Sequence, residues 1–138
     1  MREVLHVSIR VTDPVLSASM FAELTEGKVN PTPLNVWGVV CVHTSDEDPS
    51  WLVNMLEFWP ADKHWHQGAL VDVDVKTQRS YCHVAFITDK SNAQIREIAH
   101  RYGATVNEEE RGMPTPIPVV YDDLGNYFEF FPRKELQK

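Results

Sequence analysis

Two glutamates occupy matching positions in the two halves of this chain. Glu57 lies in the segment 54–60, NMLEFWP, and Glu129 lies in the segment 126–132, NYFEFFP. The apolar and aromatic neighbours predict that both segments are strands with a buried face. Removing a carboxylate from water is costly unless a cation or hydrogen-bond donors compensate the charge. Each glutamate therefore needs a partner, and a bound cation is one candidate.

A histidine precedes each glutamate, again in matching surroundings. The segment 6–13, HVSIRVTD, and the segment 83–89, HVAFITD, share His-Val at the start and Thr-Asp at the end, with a gap of one residue. The chain thus contains an internal repeat in which each copy carries one imidazole and one carboxylate. This donor set suits one divalent metal per site, such as Ni, Zn, Co, Fe or Mn. The four candidate metal ligands are His6, Glu57, His83 and Glu129.

The elements that must position these residues follow one order in the first half. Alternating apolar and polar residues predict a strand over 4–11. Asp13 is typical of a helix N-cap, Pro14 of a first helical position, and Gly27 of a helix end. The stretch 30–33 is expected to be a loop. The further strands predicted in this half cover 37–43 and 51–59.

The second half repeats that order. A strand is predicted from Tyr81, followed by a helix that Asp89, Ser91 or Asn92 can cap and that ends at Gly103. The charged stretch 108–116, which contains Gly and Pro, is expected to be a loop. The last two predicted strands cover 117–121 and 127–131. The segment 61–78 between the halves has no clear assignment, and within it 71–75 is either a short strand or a linker.

This repeated order defines the expected fold class. We predict an α+β protein in which two βαβββ modules form a curved, mainly antiparallel sheet cradle. The length of 138 residues fits a single domain, with module 1 at about 1–62 and module 2 at about 79–132.

Composition limits the partners of the protein. The net charge of −7, without a clustered Lys/Arg surface, argues against nucleic-acid binding. The N-terminal residues show no charged leader with a long apolar segment, so we expect no membrane span and a cytoplasmic location. Cys41 and Cys82 lie in apolar, strand-like runs and are expected to be buried free thiols in a reducing compartment.

The motifs of the repeat resemble the vicinal oxygen chelate superfamily, which contains glyoxalases, bleomycin-resistance proteins and extradiol dioxygenases. The resemblance spans essentially the whole chain and is closest to glyoxalase I (lactoylglutathione lyase)-like members. It implies a glyoxalase-like fold and the same four metal ligands. The motifs that carry it are 5–13 (LHVSIRVTD), Glu57 in its strand, 82–86 (CHVAF) and 122–129 (DDLGNYFE).

The same resemblance implies an activity. Glyoxalase-like lyases move a proton between adjacent carbons of a metal-chelated hemithioacetal of a 2-oxoaldehyde and a thiol. Glu129 would be the leading base and Glu57 its counterpart, while Arg10 and Arg79 would bind the carboxylates of glutathione. A homodimer with the site at its interface is expected. The ligands could come from one chain or from two.

Other functions of this fold remain open at this stage. Acyl-CoA epimerases share the ligand arrangement. An iron dioxygenase would use His6, His83 and Glu129, but Glu57 then fills a position that catechol and oxygen need. Drug-binding resistance proteins typically lose the ligands, and fosfomycin-type thiol transferases keep three of the four. His64 and His66 could form a separate metal site, although we expect them to lie in a loop.

Overall fold

The computed structural model of the chain describes residues 6–30, 38–44, 54–74 and 80–136. The chain divides into two compact units, Met1–Ser80 and Tyr81–Lys138. Each unit contains a four-stranded sheet and one helix of at least ten residues. The α+β class and the βαβββ order of each half are thereby confirmed.

The first unit begins with a strand and a helix. Its sheet has the order β1-β4-β3-β2, in which β1 runs parallel to β4 and the other neighbours are antiparallel. A separate antiparallel hairpin, β5–β6, follows. The elements are β1 (His6–Val11), α1 (Pro14–Thr25), β2 (Lys28–Asn30), β3 (Val40–His43), β4 (Met55–Pro60), β5 (Lys63–His66) and β6 (Ala69–Asp72).

Helix α1 has the ends that the sequence predicted. The side chain of Asp13 accepts a hydrogen bond from the backbone N–H of Leu16 at 3.0 Å, and Pro14 is the first helical residue. The helix stops at Glu26, which has a left-handed φ of 56°. A side chain at Gly27 would collide with the carbonyl oxygen of His43, because the ideal Cβ position is only 2.0 Å away. Glycine is therefore required where the chain enters β2.

The two faces of this sheet differ in polarity. One face packs on α1, where the rings of Phe21 and Phe58 lie 5.2 Å apart and both side chains are almost fully buried. Because side chains alternate along a strand, Glu57 and its cross-strand neighbours Ser8 and Cys41 lie on the opposite face. The helix-facing side therefore packs on α1, whereas the other side carries the candidate chemistry beside a small buried cluster of Val39, Cys41 and Met55.

The second unit has the same arrangement. Its sheet has the order β7-β10-β9-β8, with β7 parallel to β10 and the remaining neighbours antiparallel. Ser91 and Gln94 form a reciprocal capping box at the start of α2. The elements are β7 (His83–Thr88), α2 (Asn92–Arg101), β8 (Thr105–Glu109), β9 (Ile117–Tyr121), β10 (Tyr127–Pro132) and α3 (Arg133–Leu136).

In the two four-stranded sheets, two short strands were missed from the sequence. The predicted loop at 108–116 was wrong at its start, since Glu108 and Glu109 belong to β8. Asn30, expected in a loop, ends the three-residue strand β2. Both strands lie at sheet edges and are largely polar, so neither shows the apolar alternation by which half-buried strands are recognised. The parts of the predicted strands at 4–5, 37 and 51–53 lie outside the described residues.

The unassigned connection between the halves contains the hairpin β5–β6. Its turn residues, Gln67 and Gly68, have positive φ angles of 48° and 83°, as two-residue hairpin turns require. The strand suggested at 71–75 begins two residues earlier in the chain and is β6 (Ala69–Asp72). His64 and His66 therefore lie in a strand and not in a loop.

The two cysteines are free thiols with different exposure. Cys41 is buried in β3, as expected. Cys82 is only half-buried and precedes β7, so the expectation of full burial was wrong for this residue. Burial, and then the nearby Asp122, raise the pKa of the Cys82 thiol. No helix in the described part of the chain is long and apolar enough to cross a membrane.

Candidate metal centre

The first His/Glu pair lies on the parallel strands β1 and β4. Glu57 is only 5% exposed. Its Oε2 atom accepts hydrogen bonds from the Ser8 hydroxyl at 2.8 Å and from the indole N–H of Trp59 at 3.1 Å. The burial of this carboxylate is thus compensated by two neutral donors on the same sheet.

His6 completes this pair from the edge strand. Its Nε2 atom lies 3.9 Å from Oε2 of Glu57, and its side chain is 46% exposed whereas that of Glu57 is 7% exposed. The separation exceeds a hydrogen bond. Because the two atoms do not bond to each other and the imidazole is open to solvent, a metal ion could bind to both of them.

The second pair has the same register on β7 and β10. His83 lies opposite Tyr127, two residues before Glu129, just as His6 lies opposite Met55, two residues before Glu57. The repeat seen in the sequence is therefore a repeat in three dimensions. Within each unit the structure brings the predicted histidine and glutamate together.

The contacts of the second pair are tighter than those of the first. His83 Nε2 and Glu129 Oε2 share a hydrogen bond of 2.7 Å, and Glu129 is 6% exposed. The imidazole of His83 stacks on the ring of Tyr127 at 4.3 Å between centroids. Tyr127 in turn stacks on Tyr121 at 5.8 Å. This aromatic stack fixes the plane of the imidazole.

Arg111 is a site residue that the sequence analysis missed. Its Nε atom donates to Oε1 of Glu129 at 2.5 Å, and its Nη2 atom donates to Glu109 at 3.0 Å. The hydroxyl of Tyr121 donates to the other oxygen of Glu109 at 2.5 Å. A continuous network thus runs from His83 through Glu129 and Arg111 to Tyr121. The only sequence signal was an arginine two residues after a glutamate within a charged stretch.

This network changes the protonation of its members. Burial alone would raise the pKa of Glu129, but the hydrogen bonds from Arg111 and His83 outweigh it, so the net pKa lies below its usual range. The hydrogen bond to Glu129 raises the pKa of Arg111. The hydrogen bond to Glu109 raises the pKa of Tyr121 to about 12, with burial as the next cause. Glu129 is therefore ionised and Tyr121 is a neutral donor at physiological pH.

The residues of each pair fit a divalent metal in donor type, because imidazole nitrogen and carboxylate oxygen both bind such ions. With metal bonds of about 2.0–2.1 Å, neighbouring ligand atoms lie roughly 2.9–3.4 Å apart. The separation of 3.9 Å for His6 and Glu57 lies above that range, and the 2.7 Å for His83 and Glu129 lies below it, so each pair must adjust its side chains to chelate a metal. Each pair alone supplies two ligands. Among residues 6–30, 38–44, 54–74 and 80–136, no three His, Cys, Asp or Glu side chains converge as metal ligands.

A cavity of about 430 Å³ opens beside the first pair. The predicted substrate residue Arg10 lines it and donates to the carbonyl oxygen of Ala61. Arg79, the other predicted substrate residue, lies outside the described residues. The cavity is lined by His6, Ser8, Ile9, Arg10, Glu57, Trp59, Lys63 and His64.

Comparison with known proteins identifies the fold. No protein-family model and no curated protein sequence matches the chain. Among solved structures, the fosfomycin resistance protein FosX from Mesorhizobium loti matches with a TM-score of 0.61 and 15% identity, covering 95% of this chain and 91% of that one. Glyoxalase I from Leishmania major, described as trypanothione-dependent, matches with a TM-score of 0.59 and 20% identity, covering 99% and 90%.

A third similar structure contains a metal. FosX from Listeria monocytogenes in complex with Mn(II) and sulfate has a TM-score of 0.60 and 13% identity, covering 96% of this chain and 90% of that one. The chain therefore has the same fold as these glyoxalase and fosfomycin-resistance proteins, which confirms the fold that the sequence resemblance implied.

We expect Arg111→Met to destabilise the protein by about 2 kcal/mol at pH 7, because Glu129 loses its charged donor. A carboxylate with a lowered pKa stabilises the fold above its unfolded pKa, near the ordinary value of 4.5, and this contribution is lost as the pH falls through the lower folded value. Urea unfolding of chelator-treated protein should therefore show a difference between wild type and variant that shrinks below about pH 4.5. A constant difference down to pH 3, with Arg111→Lys as unstable as Arg111→Met, would contradict this role.

Proposed function

We propose that the protein is a metal-dependent lyase or isomerase of the glyoxalase type. The reaction would move a proton between adjacent carbons of a hemithioacetal formed from a 2-oxoaldehyde and a thiol. One observation carries the proposal: two sheets of identical strand order each place a buried glutamate beside a histidine in identical register. A carboxylate is the group needed to carry a proton, and an imidazole next to it is a metal ligand.

The metal ligands in this proposal are one His/Glu pair from each unit. His6 and Glu57 would supply two donor atoms, and His83 and Glu129 the other two. When bound, a divalent metal would supply a Lewis acid for the substrate oxygens. Arg111 would hold Oε1 of Glu129, so that Oε2, the atom beside His83, is the one free to serve as a ligand.

The two glutamates have different donors and therefore suit different roles. Both hydrogen bonds described at Glu57 come from neutral groups and end on Oε2. Glu129 instead has a guanidinium on one oxygen and an imidazole on the other. We therefore assign the first proton transfer to Glu57 and the return of the proton to Glu129, the reverse of the order expected from the sequence.

The partners of the protein are part of the same proposal. A small-molecule substrate would occupy the cavity beside His6 and Glu57, where Arg10 supplies a cation. We also propose a homodimer, with the metal site completed within one chain or between two. Glutathione is the first thiol to test, because the glyoxalase I resemblance implies it.

The test is an assay of methylglyoxal with glutathione, in which thioester formation is followed by ultraviolet absorbance. We expect turnover by protein loaded with nickel or zinc, and loss of turnover after chelation. The matched controls are the chelated protein and the reloaded protein. Absence of thioester with Ni, Zn, Co, Fe or Mn, for glutathione and other thiols alike, would contradict the lyase assignment.

A further inference from the structure

Part of the lining of the cavity in the first unit has no role in the proposed reaction. Lys63 and His64, at the start of the β5–β6 hairpin, line the same cavity as the pair His6 and Glu57. The hairpin lies outside the four-stranded sheet that carries the pair. Because β5 contributes Lys63 and His64 to the cavity, both side chains can contact a ligand that binds in it.

The charges around the cavity favour an anion. The fixed cations are Arg10 and Lys63, whereas the one carboxylate in the lining, Glu57, accepts hydrogen bonds from two neighbours. His6 and His64 add imidazole nitrogens that can donate hydrogen bonds. Cations that line a concave site raise the local concentration of anions.

Lys63 already has two anionic neighbours, Asp72, which contacts it, and Asp62, which acts on it less strongly. Its ammonium group pairs with Asp72 across the hairpin. The carboxylate of Asp72 is 87% exposed, whereas the side chain of Lys63 is 35% exposed. Water screens so exposed a pair, so little free energy is lost when Lys63 exchanges Asp72 for the anionic group of a ligand.

We propose that the β5–β6 hairpin forms an anion subsite in which Lys63, together with Arg10, selects ligands that combine an oxyanion with an apolar body. The oxyanion would be a carboxylate, phosphonate or phosphate, and the indole of Trp59 would contact the apolar part. His64 would donate a hydrogen bond to the same group. The inference rests on the proposed function in treating this ligand as part of the substrate, but its binding test does not depend on turnover.

The test compares two probes of nearly the same shape, the anion 1-naphthylacetate and the neutral 1-naphthylacetamide, by calorimetric titration of the full chain at low salt. We expect wild-type protein to bind the acid about tenfold more tightly than the amide, which corresponds to one charged hydrogen bond. Lys63→Met should reduce this preference to about threefold or less, while Lys63→Arg retains it. Lys134→Met, at an exposed lysine of the other unit, should leave it unchanged.

Equal binding of acid and amide by the wild type, absence of binding of both probes, or an undiminished preference in Lys63→Met would each overturn the anion subsite. The last result would also be obtained if the carboxylate bound elsewhere, for example to a metal. A normal preference for the acid together with a complete absence of lyase activity would support the subsite and reject the proposed function, so the two failures are distinguishable.

Discussion

Replacing Glu57 with glutamine is expected to lower kcat by about a thousandfold, because general acid–base transfer by one positioned group contributes about 10²–10⁴. The side chain of glutamine keeps an oxygen that can accept from Ser8 and Trp59, so the fold should survive. The amide oxygen is also a weaker metal ligand than the carboxylate, so turnover is compared at metal concentrations that saturate both proteins. Steady-state turnover with methylglyoxal and glutathione, together with a thermal unfolding curve, measures both parts of this expectation.

Two control variants distinguish the effect of losing the carboxylate from the effect of losing a hydrogen-bond donor to it. Ser8→Ala and Trp59→Phe each remove one donor to Glu57 and keep its charge. Each should reduce turnover by only about tenfold, the equivalent of one ordinary hydrogen bond. If Glu57→Gln retained full turnover, the assignment of the proton transfer to this residue would be wrong.

Replacing His83 with alanine is expected to weaken metal binding by about a hundredfold or more, since a ligand is lost outright. Glu129 keeps its hydrogen bond from Arg111, so its charge stays compensated. Competition with a metallochromic chelator gives the affinity. The matched control is His66→Ala, which removes an imidazole from the hairpin and should leave metal binding unchanged. Unchanged affinity in His83→Ala would place the metal elsewhere.

The same variant shows whether one chain or two complete the site. A mixture of inactive His6→Ala and His83→Ala chains, unfolded and refolded together, would regain activity if each site combined pairs from two chains, because the mixed dimer then holds one intact set. If each site lies within one chain, the mixture contains no intact set and stays inactive. Either outcome fixes the composition of the site.

The parts of the fold that could be predicted are those with strong local signals. Asp13 and Pro14 marked the start of α1, because capping chemistry is encoded in single residues. Asp89, Ser91 and Asn92 were all candidate caps of α2, and the structure selects Ser91. Glu57 and Glu129 stood out because a carboxylate in an apolar strand demands compensation. The repeat then indicated which histidine belonged to which glutamate.

What the sequence could not predict depends on contacts between distant segments. Arg111 follows a polar edge strand, and only the pairing of β8 with β9 and of β9 with β10 brings it to Glu129. Lys63 and His64 reach the cavity through a hairpin whose signal, Gln67-Gly68, is a weak turn motif. Tertiary register, and not local propensity, determines both positions.

The measurement that tests the central claim most directly is the metal content of the untagged protein, determined by mass spectrometry beside the Glu57→Ala variant after equal exposure to Ni, Zn, Co, Fe and Mn. We expect one divalent metal per site in the wild type, and its loss in the variant. A wild-type protein that takes up none of these metals, or a Glu57→Ala variant that retains the full amount, would contradict a metal centre built from the two His/Glu pairs.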